Sequence, residues 1–354
     1  MKKLFALMLA LAMMLSLAAC GGSGSGDQTQ TTEPASNAEE AAPETETAET
    51  AETTGGAYKV AIVQQLDHAS LDEIRLAIEA ELKEAGEAQG VSVEVQEFNG
   101  QNDPSILSQI GSQVVDGGFD AVVPIATLAA QSMVTAVSEM ETPIPVVYAA
   151  ITDPEAAQLT GLDYVTGTSD ALNTPFILDM MLAVNPEVKT VGLLYSNSEV
   201  NSAAPIAEAK EYLDGKGIAY VEKTGNTTDE IQAAVASLVG QVDAVFTPTD
   251  NVVMAAELSI YETLMEAGIP HYAGADSFVR NGAFATCGVN YTELGSYTAD
   301  MVLEALTSGA VSDYHVMDGG IITVNTETAA ALGADYSAFG TMAGTVNEVV
   351  TTQD

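Results

Sequence analysis

The chain predicts an α/β fold of two similar lobes, each built on a parallel sheet, joined by a hinge that the chain crosses more than once. Three observations carry this. Short apolar runs alternate with helical patterns of 10–15 residues, which is the signature of a parallel sheet with crossover helices. The phrase Asp120-Ala121-Val122-Val123-Pro124-Ile125-Ala126-Thr127 is echoed by Asp243-Ala244-Val245-Phe246-Thr247-Pro248-Thr249-Asp250, and a helical pattern follows each. Around these, residues 59–70 match 190–202 and 143–154 match 268–278, in the same order and at nearly constant offset. In open parallel sheets ligands sit beyond the carboxyl ends of the strands. Two such lobes facing each other therefore predict a binding cleft between them.

The elements follow in order. Lys59–Gln65 (KVAIVQQ) reads as a buried strand, and Leu71, Ile74, Ile78 and Leu82 recur at helical spacing after it. Val91, Val93 and Val95 alternate as a strand. The loop Asn99–Asp103 then caps a helix from Pro104 to about Val115. Strand 120–126, helix 128–139 and strand 144–150 complete the first series. The second series runs strand 190–196, helix 203–213, strand 218–223, helix 228–239, strand 243–247, helix 252–267 and strand 269–275. Between them lies 160–174, rich in Gly and Thr, where the first crossing is expected; Asn173-Thr174-Pro175 opens a helix there. After Ala275 come strand 283–289, helix 293–306 and strand 321–324. The expected lobes are 58–172 with about 290–316, and 173–289 with about 317–354.

Composition narrows the function. Fifty Asp and Glu against ten Lys and Arg give a formal net charge of −40, which argues against any nucleic-acid partner. The three His (His68, His271, His315) lie far apart without metal-ligand spacing, and neither a metal nor a cofactor is expected. Lys2 and Lys3 precede an apolar run too short for a comfortable span, which suits an export signal. That run ends in Leu17-Ala18-Ala19-Cys20-Gly21, which resembles a bacterial lipoprotein box and implies cleavage before Cys20 and lipidation of its thiol. Residues 21–57 are an acidic, base-poor stretch of Gly, Ser, Thr, Ala, Pro and Glu that reads as a disordered tether. The expected protein is an extracytoplasmic monomer, held at the outer face of the cell membrane by lipid alone. Cys287 is left without a partner and is expected to be a small buried residue.

Several ordered phrases carry a resemblance: Ile151-Thr152-Asp153-Pro154, Tyr195-Ser196-Asn197-Ser198-Glu199-Val200-Asn201-Ser202, Pro248-Thr249-Asp250-Asn251, Gly282-Ala283-Phe284-Ala285-Thr286 and Tyr291-Thr292-Glu293-Leu294-Gly295. With them the chain resembles the type I periplasmic binding proteins. More narrowly, it resembles the ABC-transporter substrate-binding lipoproteins associated with tryptophan, tyrosine and phenylalanine uptake. The likeness runs over essentially all of 58–354. It implies two Rossmann-like lobes, a small ligand clamped in the hinge cleft, and a permease and ATPase encoded elsewhere.

Candidate ligand contacts sit where strands end. Ala126 and Thr127 offer backbone N–H groups and a hydroxyl at a helix N-terminus, a carboxylate site that needs no Arg, although Thr127 also reads as a helix cap. Thr152 and Asp153 end the next strand, and Asp153 before Pro154 equally reads as a turn residue. In the second lobe Ser196, Asn197 and Glu199 follow one strand, Thr249 and Asp250 another, and Asp276 a third. Asp250 and Asp276 are candidates for an α-amino group, with helix capping as the competing reading. Gln64 and His68 lie in the first strand–helix turn. Tyr148 offers an aromatic platform or a core residue. Acids on one lobe and hydroxyls and amides on the other suit a zwitterion, so an amino acid is expected, aromatic ones among the candidates. An exported hydrolase would need a Gly-x-Ser-x-Gly elbow, a His-Glu-x-x-His pair or a similar device, and none is present, so no enzyme activity is expected. A tethered sensor presenting its ligand to a receptor would use the same cleft and stays open. The export signal and missing basic module exclude a cytoplasmic repressor.

Overall fold

The computed structural model describes residues 56–352. The export segment with Cys20, and the acidic stretch up to residue 55, lie outside the described residues.

The first series of elements is β1 (Ala57–Gln64), α1 (Ala69–Gln89), β2 (Ser92–Asn99), α2 (Pro104–Asp116), β3 (Ala121–Ile125), α3 (Thr127–Val137), β4 (Val146–Tyr148) and β5 (Val165–Ser169). The second is α4 (Thr174–Val184), β6 (Thr190–Tyr195), α5 (Ala203–Lys216), β7 (Ala219–Thr224), α6 (Thr228–Leu238), β8 (Ala244–Thr247), α7 (Asn251–Glu266), β9 (His271–Ala273), α8 (Asp276–Arg280) and β10 (Ala285–Gly288). The chain closes with α9 (Tyr291–Ser308), β11 (His315–Val316), β12 (Ile321–Asn325), α10 (Thr326–Leu332), α11 (Phe339–Met342) and β13 (Thr345–Val349). These elements form a six-stranded sheet, β11-β5-β4-β3-β1-β2, and a seven-stranded sheet, β13-β12-β10-β9-β8-β6-β7. All pairs are parallel except β10 with β12. The α/β expectation of two lobes with parallel sheets is met, with that one antiparallel junction added.

The chain passes between sheets three times: after β5, between β10 and α9, and between β11 and β12. Helix α9 returns to the first lobe because it packs along α1. Gly295 permits this approach, since a Cβ there would lie 2.6 Å from the Ala77 Cβ and 2.7 Å from the Ile74 carbonyl oxygen. The Gly- and Thr-rich linker at 160–174 contains a buried strand, β5, and the crossing itself is confined to the residues between Ser169 and Thr174. Val-Thr-Gly-Thr-Ser lacks the apolar run that marks a central strand, so its strand character is supplied by its neighbours. It pairs with β4 on one side and β11 on the other.

Gly167 makes that pairing possible. Its φ is +151°, and a Cβ would fall 2.0 Å from the Tyr148 carbonyl oxygen. Gly167→Ala is therefore expected to cost about 3 kcal/mol, from backbone strain and overpacking together. Urea denaturation checks it; a loss under about 0.5 kcal/mol would mean that β4 and β5 are not in register here.

The walls of both lobes are apolar. Val60, Ile62, Val123 and Val147 pack against Ile74, Ile78 and Leu294, while Leu193, Phe246, Tyr272 and Phe284 pack against Ile177, Met181 and Phe339. Cys287 is buried and free. No helix among the described residues is long and apolar enough to cross a membrane.

Candidate functional site

Both sheets point the carboxyl ends of their strands at a common cleft, and polar side chains meet across it. Thr152 Oγ1 lies 2.8 Å from Thr249 Oγ1, and His68 Nε2 lies 3.0 Å from Asn251 Oδ1. Gln65 Nε2 donates to Glu199 Oε1 at 2.9 Å, and Ser70 Oγ donates to Ser277 Oγ at 2.5 Å. At the rim Arg280 joins Glu73 of the opposite lobe at 2.9 Å. The lobes are thus closed on each other. They leave a small cavity of about 30 Å³ between them.

From the first lobe, His68, Ser70, Leu71, Ala126, Thr127, Ala150 and Thr152 line this space; from the second, Asn201, Thr249, Asp250, Asn251, Met254, Ala275, Ser277 and Phe278 do. Asp170 and Tyr291, at the first and second crossings, also contribute. Two alanines in this wall have uncommon backbones. Ala126 (φ +73°, ψ 163°) precedes α3, and Ala150 (φ +57°) follows β4. Non-glycine residues avoid these regions, and such conformations cluster where ligands are held. Ala126 has no side chain with which to cap α3. Gln65 Oε1 accepts the Leu128 N–H at 3.0 Å, and Thr127 lines the cleft at the start of the helix.

Asp170 is buried where the lobes join. Its Oδ1 accepts from Thr152 Oγ1 and its Oδ2 from the Tyr291 hydroxyl, both at 3.1 Å. Burial pushes this carboxyl above its ordinary value, and the two hydroxyls only partly offset that. Each oxygen keeps room for another donor. Asn201 is also buried, with Nδ2 donating to the Thr249 carbonyl at 2.7 Å and Oδ1 left without a partner among the described residues. No Lys or Arg lines the space.

The predicted contacts divide. His68, Ala126, Thr127, Thr152, Thr249 and Asp250 line the cleft. Asp250, however, is committed within its own lobe. Its Oδ1 accepts the N–H groups of Val252 and Val253, and its Oδ2 accepts the Ser196 N–H and the Ser202 hydroxyl. It caps α7 and ties the turn after β6 to it. Glu199 and Ser196 stand one layer behind the lining residues: Glu199 bridges to Gln65, and Ser196 Oγ bonds Ser198 and Asn226.

The structure places the other predicted contacts outside the lining of this space. Gln64 turns inward, donating to the Leu66 carbonyl and Asp72, because side chains alternate along a strand; its neighbour Gln65 faces the cleft. Tyr148 is fully buried among core residues of the first lobe, and that burial raises its hydroxyl's pKa. Asp153 caps a turn by accepting the Ala156 N–H. Asn197 is exposed and bonded to Thr224. Asp276 pairs with Arg280 one helical turn on, and Ser277 takes its place in the wall. Asp170, Tyr291 and Asn201 were not singled out as contacts. An acid within the Gly- and Thr-rich crossing segment was the available signal for the first.

Residues 59–342 match the family described as ABC transporter substrate binding protein. A tyrosine-binding protein of Clostridioides difficile is 31% identical over 280 residues, covering 77% of this chain and 80% of the relative. The crystal structure of an ABC domain in complex with L-Trp from Streptococcus pneumonia superposes with a TM-score of 0.74 at 31% identity, over 82% of this chain and 99% of that one. A ligand-free, open substrate binding protein with adhesive properties from Clostridium difficile superposes with a TM-score of 0.62 at 30% identity, over 83% and 100%.

Proposed function

Because this chain belongs to the ABC transporter substrate binding protein family, we propose that it captures one zwitterionic amino acid in the closed cleft, with aromatic amino acids the favoured class. One observation carries the reading: the cleft sets a buried carboxylate, Asp170, against a helix N-terminus at Ala126–Thr127 whose N-cap residue has no capping side chain, with no Lys or Arg lining it. An α-ammonium would pair with Asp170 and with the unpartnered Oδ1 of Asn201. The α-carboxylate would take the free N–H groups of α3 and the Thr127 hydroxyl. Leu71, Met254 and Phe278 would flank the side chain. The tyrosine-binding relative and the L-Trp complex support this class. The better overlap with that ligand complex than with the open, ligand-free protein supports closure as the capturing step. We further propose that the protein acts as a monomer outside the cytoplasm, anchored through Cys20, and delivers its ligand inward to a permease driven by a separate ATPase.

Thermal unfolding of the purified chain against amino acids, nucleosides and sugars tests this. A ligand at a hundred times its dissociation constant adds about 2.7 kcal/mol to the folded state. A raised midpoint with L-tyrosine, L-tryptophan or L-phenylalanine is expected. A shift with sugars or nucleosides alone would refute the amino-acid reading.

A further inference from the structure

We propose that closing the lobes over a ligand loads a proton from solvent onto Glu199, so that ligand capture and proton uptake are one linked event. The proposal takes its ligand from the reading above and its mechanism from a different group.

Glu199 belongs to the second lobe, in the turn after β6, and is buried by contact with the first. Its Oε1 accepts from Gln65 Nε2 across the cleft, and its Oε2 accepts from Asn251 Nδ2 at 2.7 Å. Gln65 cannot turn over. Its Oε1 is held by the Leu128 N–H, which can only donate, so its Nε2 points at Glu199 and Asn102. Asn201, from the helical turn Val200–Ser202, also lies within hydrogen-bonding reach of Glu199. Every one of these partners is a neutral amide. Gln65 and Asn251 both donate to the ionised carboxylate, and a protonated Oε2 requires Asn251 to turn, so that its Oδ1 accepts that proton and its Nδ2 donates to a neutral His68 Nε2. The charged group facing Glu199 is Asp250, at the N-cap of α7, and it is a second carboxylate. His68 reaches Glu199 only through Asn251.

Two carboxylates in one buried patch without a counter-cation do not both stay ionised at low cost. Asp250 has the better claim to the charge. Its four donors all come from its own lobe, so it keeps them whether the lobes are apart or together. Glu199 loses water when the first lobe arrives and gains only an amide in return. Burial, and then the charge of Asp250, push its carboxyl up to about 7.

A carboxyl with a higher value closed than open takes up a proton on closing. Glu199 therefore favours closure as pH falls through about 7, and that help is lost above it. His68 acts in the opposite sense, because burial draws its imidazole down and it releases any proton it carried.

Titration calorimetry of the full chain with L-tryptophan and L-tyrosine, in phosphate and in imidazole buffer at pH 7.0, counts the protons. Glu199→Gln mimics the protonated carboxyl and is expected to bind within about threefold of wild type. Wild type should take up about half a proton more per ligand than the variant, the fraction bound by a group titrating at about 7. Loss of binding in Glu199→Gln where wild type binds, or tight binding with identical proton numbers in the two proteins, overturns this proposal alone. No binding of either amino acid removes the amino-acid reading and this proposal with it.

Discussion

Asp170→Asn is expected to weaken amino-acid binding at least about a hundredfold while leaving the protein as stable as before, or more so. The loss follows from the position of the carboxylate. It places a charge where an ammonium would sit at the crossing between lobes, and removing one partner of a buried ion pair costs about 3 kcal/mol or more, a factor of about a hundred. The unchanged fold follows from the neighbours. Thr152 and Tyr291 both present hydroxyls, which can donate to the amide oxygen or accept from its N–H₂. The sign of the stability change follows from burial. A carboxyl held above its ordinary value in the folded protein disfavours folding once the pH passes that value, and a neutral amide does not. Calorimetry and thermal unfolding of the same preparation separate the two effects. If Asp170→Asn binds as wild type does, the ammonium lies elsewhere in the cleft.

Asp250→Ala should do the reverse and act first on stability. Its two oxygens serve three backbone N–H groups and the Ser202 hydroxyl, all in a fully buried position. Loss of a helix cap costs about 1 kcal/mol, and each donor left buried without a partner adds about 1 kcal/mol or more. The expected loss is about 3 kcal/mol, a fall in melting midpoint of roughly 6 °C for a domain of this size. Asp250→Asn should fall between, because one oxygen can still cap α7 while the amide faces the Ser196 N–H. Stability within about 0.5 kcal/mol of wild type in Asp250→Ala, together with lost binding, would return Asp250 to the role of a direct ligand contact.

These two acids mark where sequence reasoning reached and where it stopped. The alternation of strands and helices is written into the apolar periodicity, and ligands gather at strand ends, so Ala126, Thr127, Thr152 and Thr249 were legible as residues that line the cleft. Side-chain direction at a strand end was not. Gln64 and Gln65 are chemically identical, and only the register of β1 against β3 decides which one faces the cleft. Tyr148 likewise ends a strand but points to the buried face. The crossing residues were hidden for another reason. Asp170 and Tyr291 are far apart in the chain and are joined by two separate passages between sheets, so no local pattern links them. Val165–Ser169 was unreadable as a strand because its partners, rather than its own side chains, make it one. Asp250 was visible as an acid before a helix, but its role depends on Ser196 and Ser202, which reach it from another strand's turn.

The most direct test of the clamp is a calorimetric titration with three related molecules: L-tryptophan, tryptamine, which lacks the carboxylate, and indole-3-propionate, which lacks the amino group. The account predicts one molecule of L-tryptophan bound per chain, and binding at least about a hundredfold weaker for each analogue, since each leaves one pole of the cleft unpaired. If either analogue binds within threefold of L-tryptophan, Asp170 and the N-terminus of α3 do not act together on a zwitterion, and the central claim fails.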